Sequence, residues 1–411
     1  MSTPKQQRVE TWLVVIVILV GLVPAAIAGL WLYMSVRSTP IHPKPQEVST
    51  VTQSAPPRRW SGAVGQARQI TRAHLVTKNL PGLSVAVAAG GDIVWAEGFG
   101  WAEIDQRVPV SPQTRFRIGT ASTALTSAAV GLLLEKGRLK LDEEIQTYVP
   151  EFPDQKWRVT LRQLMAHTAG VASDGDDEGP LFSEHCERPA DALKIFSGHE
   201  RELRFEPGTQ YRYSRYGWIT VSAAIETAGN EPFLTFMRRH VFEPLAMDHT
   251  EADAVNEPAP TAASYFPRFA SDPHYGPDPM RPLDYSCYAG SSVFLSTPTD
   301  MVRFAIAINS GKLLKPDTVK LLQTSQRLPS GAETGYGLGW DLETVSLAGT
   351  QTTMIGHHGD SLGGMVSSLM TFPDQGIVVS VISNISYSDT SGLAVQLAHA
   401  FAEPGQGPAR N

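Results

Sequence analysis

The stretch from Ala121 to Lys136 most limits what this chain can become. Leu125, Ala128, Ala129, Leu132 and Leu133 cover almost its whole helical surface, and Gly137 supplies a terminator. A helix that is apolar all round belongs in the centre of a large domain, not on its surface. The chain has the material to build one: 411 residues, 42% of them hydrophobic, as two or three units or a single large one.

The segments around that helix fix the class of fold. Leu83 to Ala88, then Gly90-Gly91-Asp92, then Ile93 to Ala96 predict a hairpin. Gly364 to Phe372 and Gly376 to Ile382 read as consecutive strands, and Gly392 to Phe401 as a closing helix. Thr160 caps a short helix through Leu161, Leu164 and Met165 that stops near Gly170, and Glu231 to Phe242 suggests an amphipathic helix. Strands near both ends with helices between them predict an α/β (α+β) domain: one sheet assembled from terminal segments around a helical middle. Residues 172–200 and 252–288 are long and weakly periodic, as expected of rims over a binding cleft. Within the first, Asp174-Gly175-Asp176-Asp177-Glu178 lacks the ligand alternation and terminal glutamate of a calcium loop and reads as a solvated loop. No metal or other cofactor is expected.

Ahead of the domain, Trp12 through Met34 carries no charged residue, with Trp12, Trp31 and Tyr33 near its ends. A bilayer span needs roughly 20 apolar residues, and the reading taken is a transmembrane anchor over 12–34 behind a short tail, 1–11. Ala26-Ile27-Ala28 resembles a signal-peptide cleavage site, but the apolar run continues past it. Residues 35–60, rich in Pro40, Pro43, Pro45, Pro56 and Pro57, read as an extended linker. The domain is expected over 61–403, with a flexible tail over 404–411. Lys5 and Arg8 on one side and Arg37 and Lys44 on the other barely discriminate orientation. The net charge of −7, without a Lys/Arg stripe, excludes a nucleic-acid partner. Cys186 and Cys287 are too few for a disulfide scaffold and leave one bridge open.

Several motifs in order resemble the serine beta-lactamase-like family, which includes class C beta-lactamases, D-alanyl-D-alanine carboxypeptidases and related esterases. They are Phe116-Arg117-Ile118-Gly119, Leu132 to Leu141, Tyr148 to Pro153, Thr160 to Gly170, Pro207-Gly208-Thr209, Tyr213-Ser214, Tyr336 to Trp340, and Gly356-His357-His358-Gly359. The resemblance covers roughly 65–403. It implies a transpeptidase-like fold, with a central antiparallel sheet flanked by helices plus a mostly helical region. It also implies an extracytoplasmic domain.

The resemblance implies three site motifs; this chain departs from the first two and retains the His and Gly of the third. At the Ser-x-x-Lys positions stand Thr120 and Thr123, so the nucleophile carries an extra methyl group and its basic partner is gone. At Tyr-x-Asn the chain reads Tyr213-Ser214-Arg215. The arginine is no general base, but its guanidinium fills space and restores charge, as a plug paired with Asp360 or as a partner favouring Tyr213 phenolate. At Lys/His-Thr/Ser-Gly, His357 and Gly359 remain, with His357 expected in the pocket and His358 on the opposite strand face. The backbone N–H groups of Thr120 and Asp360 are the expected oxyanion hole.

Gly359-Asp360-Ser361-Leu362-Gly363 imitates a nucleophile elbow, but a strand rather than a helix is expected after it. His167 reads as a buried, non-catalytic histidine. The combined changes at 120, 123 and 215 point to a membrane-tethered, catalytically impaired member binding a small carbonyl or carboxylate ligand, a peptide or a protein partner. A homo-oligomer is a further option. The alternative is an active hydrolase or transpeptidase on an ester, amide or D-amino-acid peptide, with Thr120 attacking and Tyr213 accepting its proton.

Overall fold

The computed structural model describes residues 4–173, 181, 184–195, 202–253, 261–361 and 363–402. A first helix, α1, runs over Pro4–Arg37. The sheet strands are β1 (Thr50–Thr52), β2 (Gly82–Ala89), β3 (Asp92–Glu103), β4 (Asp341–Leu347), β5 (Thr350–Ser361), β6 (Met365–Phe372) and β7 (Ile377–Ser383). Among the described residues they form an antiparallel sheet in the order β1-β3-β2-β7-β6-β5-β4, with Val108–Pro109 added beside β3. The β2–β3 hairpin turns at Gly90 and Gly91, both at positive φ, where glycine has no Cβ to clash.

Strand alternation divides the sheet's two faces. Val85, Val87 and Ala89 face one core with helices α2 (Ser61–Thr77) and the C-terminal Thr390–Ala402. Ala86 and Ala88 face the other, which contains α3 (Ser122–Glu135) and the helical middle. In α3, Ser122 through Gly131 and Leu133 are all buried, as its unbroken apolar surface requires. The middle includes α4 (Leu161–Met165), closed by a capping box between Thr160 and Gln163, and α5 (Arg215–Gly229), capped by Ser214. Cys186 and Cys287 form a disulfide.

Two expectations at the N-terminus change. Among the described residues no helix is long and apolar enough to cross a membrane. The anchor over 12–34, the membrane as a partner through it, and the extracytoplasmic placement resting on it are therefore corrected. The end of α1 also meets the domain, Tyr33 lying edge-on to Phe269 with ring centroids 6.0 Å apart. The Pro-rich stretch is not wholly extended tether either: Thr50–Thr52 pair with Glu97–Phe99 as an edge strand, and Val48 and Trp60 are buried. The acidic run 174–178 and the tail 404–411 lie outside the described residues.

Candidate functional site

The site forms where the turn before α3 meets β5. Gly119 takes a positive φ of 53°, and Gly119–Ala121 make one tight turn leading into the helix. Three bonds stitch that turn to the sheets: Ile118 N–H donates to Phe294 O (3.1 Å), Ser367 Oγ donates to Ile118 O (2.7 Å), and Thr120 Oγ1 donates to His358 O (3.1 Å). The packing leaves no room at Gly359, where a Cβ would sit 1.9 Å from Ile118 O. Thr120 and Thr123 therefore stand at the start of α3, as expected. Thr123 is fully buried, and its hydroxyl has no hydrogen-bond partner among the described residues.

The β4 strand pairs with β5 only as far as Asp341 opposite Gly356, so beyond it one side of β5 is open. Asp341 caps the first free amide there, its carboxylate accepting His358 N–H at 3.1 Å. The His358 carbonyl, on the same side, takes the Thr120 hydroxyl. Since alternate strand residues direct their N–H groups to one side, Asp360 N–H shares that open edge. At the start of α3 the turn closes on itself, Ala121 N–H donating to Ile118 O at 3.2 Å and Ser122 N–H to Gly119 O, so the turn carrying Thr120 lies against that edge.

The His358 carbonyl also accepts from His357 Nδ1 at 2.6 Å, which puts the His357 proton on Nδ1. Its Nε2 then accepts the Tyr336 hydroxyl at 3.0 Å. His357 is buried, and burial lowers its pKa below the ordinary imidazole value, while burial pushes the Tyr336 phenol well above its own. So His357 is a neutral, fully bonded ring, not a free cation in the pocket. His358 points to the opposite face, where its ring bonds Ser391 Oγ at 2.9 Å.

His167 completes the buried cluster, with its ring centroid 4.3 Å from Tyr213 and 4.7 Å from Tyr336. Burial, helped by His357, lowers its pKa to about 3. Arg215 opens α5, its amide donating to Ser173 Oγ at 3.3 Å. Its charge partly offsets the burial that raises the Asp360 carboxyl, although Asp360 itself lies at the exposed end of the edge. After Ser361 the chain continues into β6, without the helix a nucleophile elbow requires.

Sequence reasoning missed the roles of Tyr336 and Asp341. The signal available was the Tyr336-to-Trp340 motif, with Asp341 directly after it at the start of β4. A cavity of about 580 Å³ lies elsewhere, between the sheet and the segments around 306–323. Its wall holds Ile355, Thr371, Val378 and Lys320 and none of the site residues above. Among the described residues no metal-binding cluster occurs.

The family model described as Beta-lactamase matches residues 67–402. The chain belongs to the beta-lactamase family. The human "Serine beta-lactamase-like protein LACTB, mitochondrial" is 25% identical, over 87% of this chain and 84% of the relative. "Protein flp" of Staphylococcus aureus (strain N315) is 24% identical, over 78% of this chain and 63% of that protein. The octameric penicillin-binding protein homologue from Pyrococcus abyssi superposes with a TM-score of 0.69 at 22% identity, covering 81% of this chain and 76% of its own. The D-amino acid amidase from Ochrobactrum anthropi SV3 gives a TM-score of 0.67 at 20% identity, covering 82% and 98%. These structural likenesses establish the fold: a beta-lactamase and penicillin-binding-protein-like arrangement of antiparallel sheet and helices.

Proposed function

We propose that this chain is a serine-hydrolase-fold binding protein in which acyl transfer is disabled. One observation carries the reading: the Thr120 hydroxyl donates to the His358 carbonyl, an acceptor with no basicity to offer. Attack on a carbonyl carbon requires that proton to pass to a base as the new C–O bond forms. Thr123 supplies none, and the acceptor nitrogens of the nearby imidazoles are occupied, His357 Nε2 by the Tyr336 hydroxyl and His167 Nδ1 by Ser214 N–H. The backbone donors at Thr120 and Asp360 do not depend on those side chains, so they still suit a carbonyl or carboxylate oxygen. Arg215 adds a positive charge beside them, which favours a carboxylate-bearing ligand such as a peptide C-terminus.

Titration with N-acetyl-D-alanyl-D-alanine tests this reading, alongside stopped-flow mixing with p-nitrophenyl acetate. Saturable binding with no acyl burst is expected. A stoichiometric burst would refute the disabled chemistry, and failure of this and other carboxylate probes to bind would refute the binding role.

The second reading is hydrolysis or transpeptidation, with Thr120 attacking and Tyr213 accepting its proton. The close packing of Tyr213 on His167 and the likeness to a D-amino acid amidase favour it. Thr120→Ala would then abolish turnover of a D-amino-acid amide while leaving the fold intact. A homo-oligomer is also proposed, because the Pyrococcus homologue is octameric. Light scattering on the purified chain giving a monomer mass would remove that proposal.

A further inference from the structure

We propose that His167 is the positioning residue for Tyr213, holding it by a clamp on both flanks. The inference rests on the reading that Tyr213 and Arg215 form a wall of the site. His167 follows the C-cap of α4 and takes a left-handed φ of 57°, a conformation uncommon for a side chain of its size. That bend lets one residue bond the 212–214 segment twice. The His167 carbonyl accepts Arg212 N–H at 2.8 Å, and its Nδ1 accepts Ser214 N–H at 3.0 Å. Tyr213 lies between those two anchored amides, with its ring against the imidazole.

The surrounding backbone reinforces the clamp. Gly208 N–H donates to Thr168 O at 2.8 Å and Arg204 N–H to Gly170 O at 2.7 Å, so residues 167–170 and 204–212 are bonded side by side. That backbone pairing ends at His167, and the imidazole extends it by one more bond, to Ser214. Ser214 then caps α5 through Gly217 N–H, so the same clamp fixes where Arg215 begins the helix. Because Nδ1 accepts, the ring proton resides on Nε2, which is buried without a partner among the described residues. Keeping an unpaired donor buried is costly, as expected of a residue held for the placement of its other nitrogen.

Two variants separate acceptor from ring. His167→Asn keeps an acceptor near the Nδ1 position and tolerates the left-handed backbone. His167→Phe keeps a ring and loses the acceptor. Hydrogen–deuterium exchange of the full chain would follow the Ser214 amide, with α3 core amides reporting global stability. Relative to those amides, Phe is expected to speed Ser214 exchange at least tenfold, and Asn by less than threefold. Equal protection in wild type and His167→Phe would overturn the clamp, as would equal loss in both variants.

N-acetyl-D-alanyl-D-alanine affinity distinguishes this proposal from the reading beneath it. If His167→Phe and Tyr213→Phe both leave affinity unchanged while the exchange pattern holds, the clamp stands and Tyr213 is not part of the binding site.

Discussion

Gly359→Ala tests how tightly the turn before α3 is seated on β5. The new Cβ would lie 1.9 Å from Ile118 O, 2.3 Å from Ser367 Oγ and 2.9 Å from Ala121 N. The serine hydroxyl can rotate away, but doing so ends its 2.7 Å bond to Ile118 O. The backbone oxygen cannot, and a relaxed carbon–oxygen contact is roughly 3.3 Å, so turn and strand must part by more than ~1 Å. That separation also breaks the Thr120–His358 bond. Two lost hydrogen bonds at about 1 kcal/mol each, with about 1–3 kcal/mol of overpacking, give a destabilisation of about 3–5 kcal/mol. Urea unfolding followed by tryptophan fluorescence would show a lower midpoint at unchanged slope. Carboxylate affinity should fall in the same variant, because the proposed donors at Thr120 and Asp360 lie on the two sides of this contact. A loss below about 1 kcal/mol, with affinity intact, would refute the close seating and the paired donors proposed there.

Three further outcomes follow from other parts of the molecule. His167 titrates near 3 when folded and near 6.5 when unfolded, so below pH 6.5 the unfolded chain binds the extra proton and stability falls with pH. The loss is on the order of 4 kcal/mol by pH 3, with the lowered His357 adding to it, and His167→Asn should flatten urea midpoints measured from pH 7 to pH 4. Reducing the Cys186–Cys287 bridge, which spans 101 residues, should cost about 4.7 kcal/mol by loop entropy and lower the thermal midpoint measured with and without reductant. Thr120→Ser, Thr123→Lys and Arg215→Asn introduced together should produce an acyl burst with p-nitrophenyl acetate, whereas each alone should not.

What the chain disclosed before folding depended on how local the signal was. The α3 helix was legible because its apolar residues cover every side, and the β2–β3 hairpin because two glycines mark its turn. By contrast, α2 escaped notice: its buried stripe of Ala63, Val64, Ala67, Thr71 and Leu75 is small and lies among Gln66, Arg68, Gln69 and Arg72. The family resemblance singled out Thr120 and Thr123 at one helix start and Tyr213 with Arg215. It could not show that the His358 carbonyl receives both the Thr120 hydroxyl and the His357 ring, because that depends on how β5 meets α3. Nor could it join His167 to Tyr336 or Asp341 to His358, which lie far apart in the chain. The N-terminal run misled for the opposite reason: a local absence of charge could not show that its end meets Phe269.

The central claim is that the Thr120 hydroxyl is present but not activated. Intact-mass spectrometry of the wild-type chain after incubation with a fluorophosphonate measures this directly. An unchanged mass is expected, and one adduct per chain, mapped by peptide sequencing to Thr120, would contradict the account.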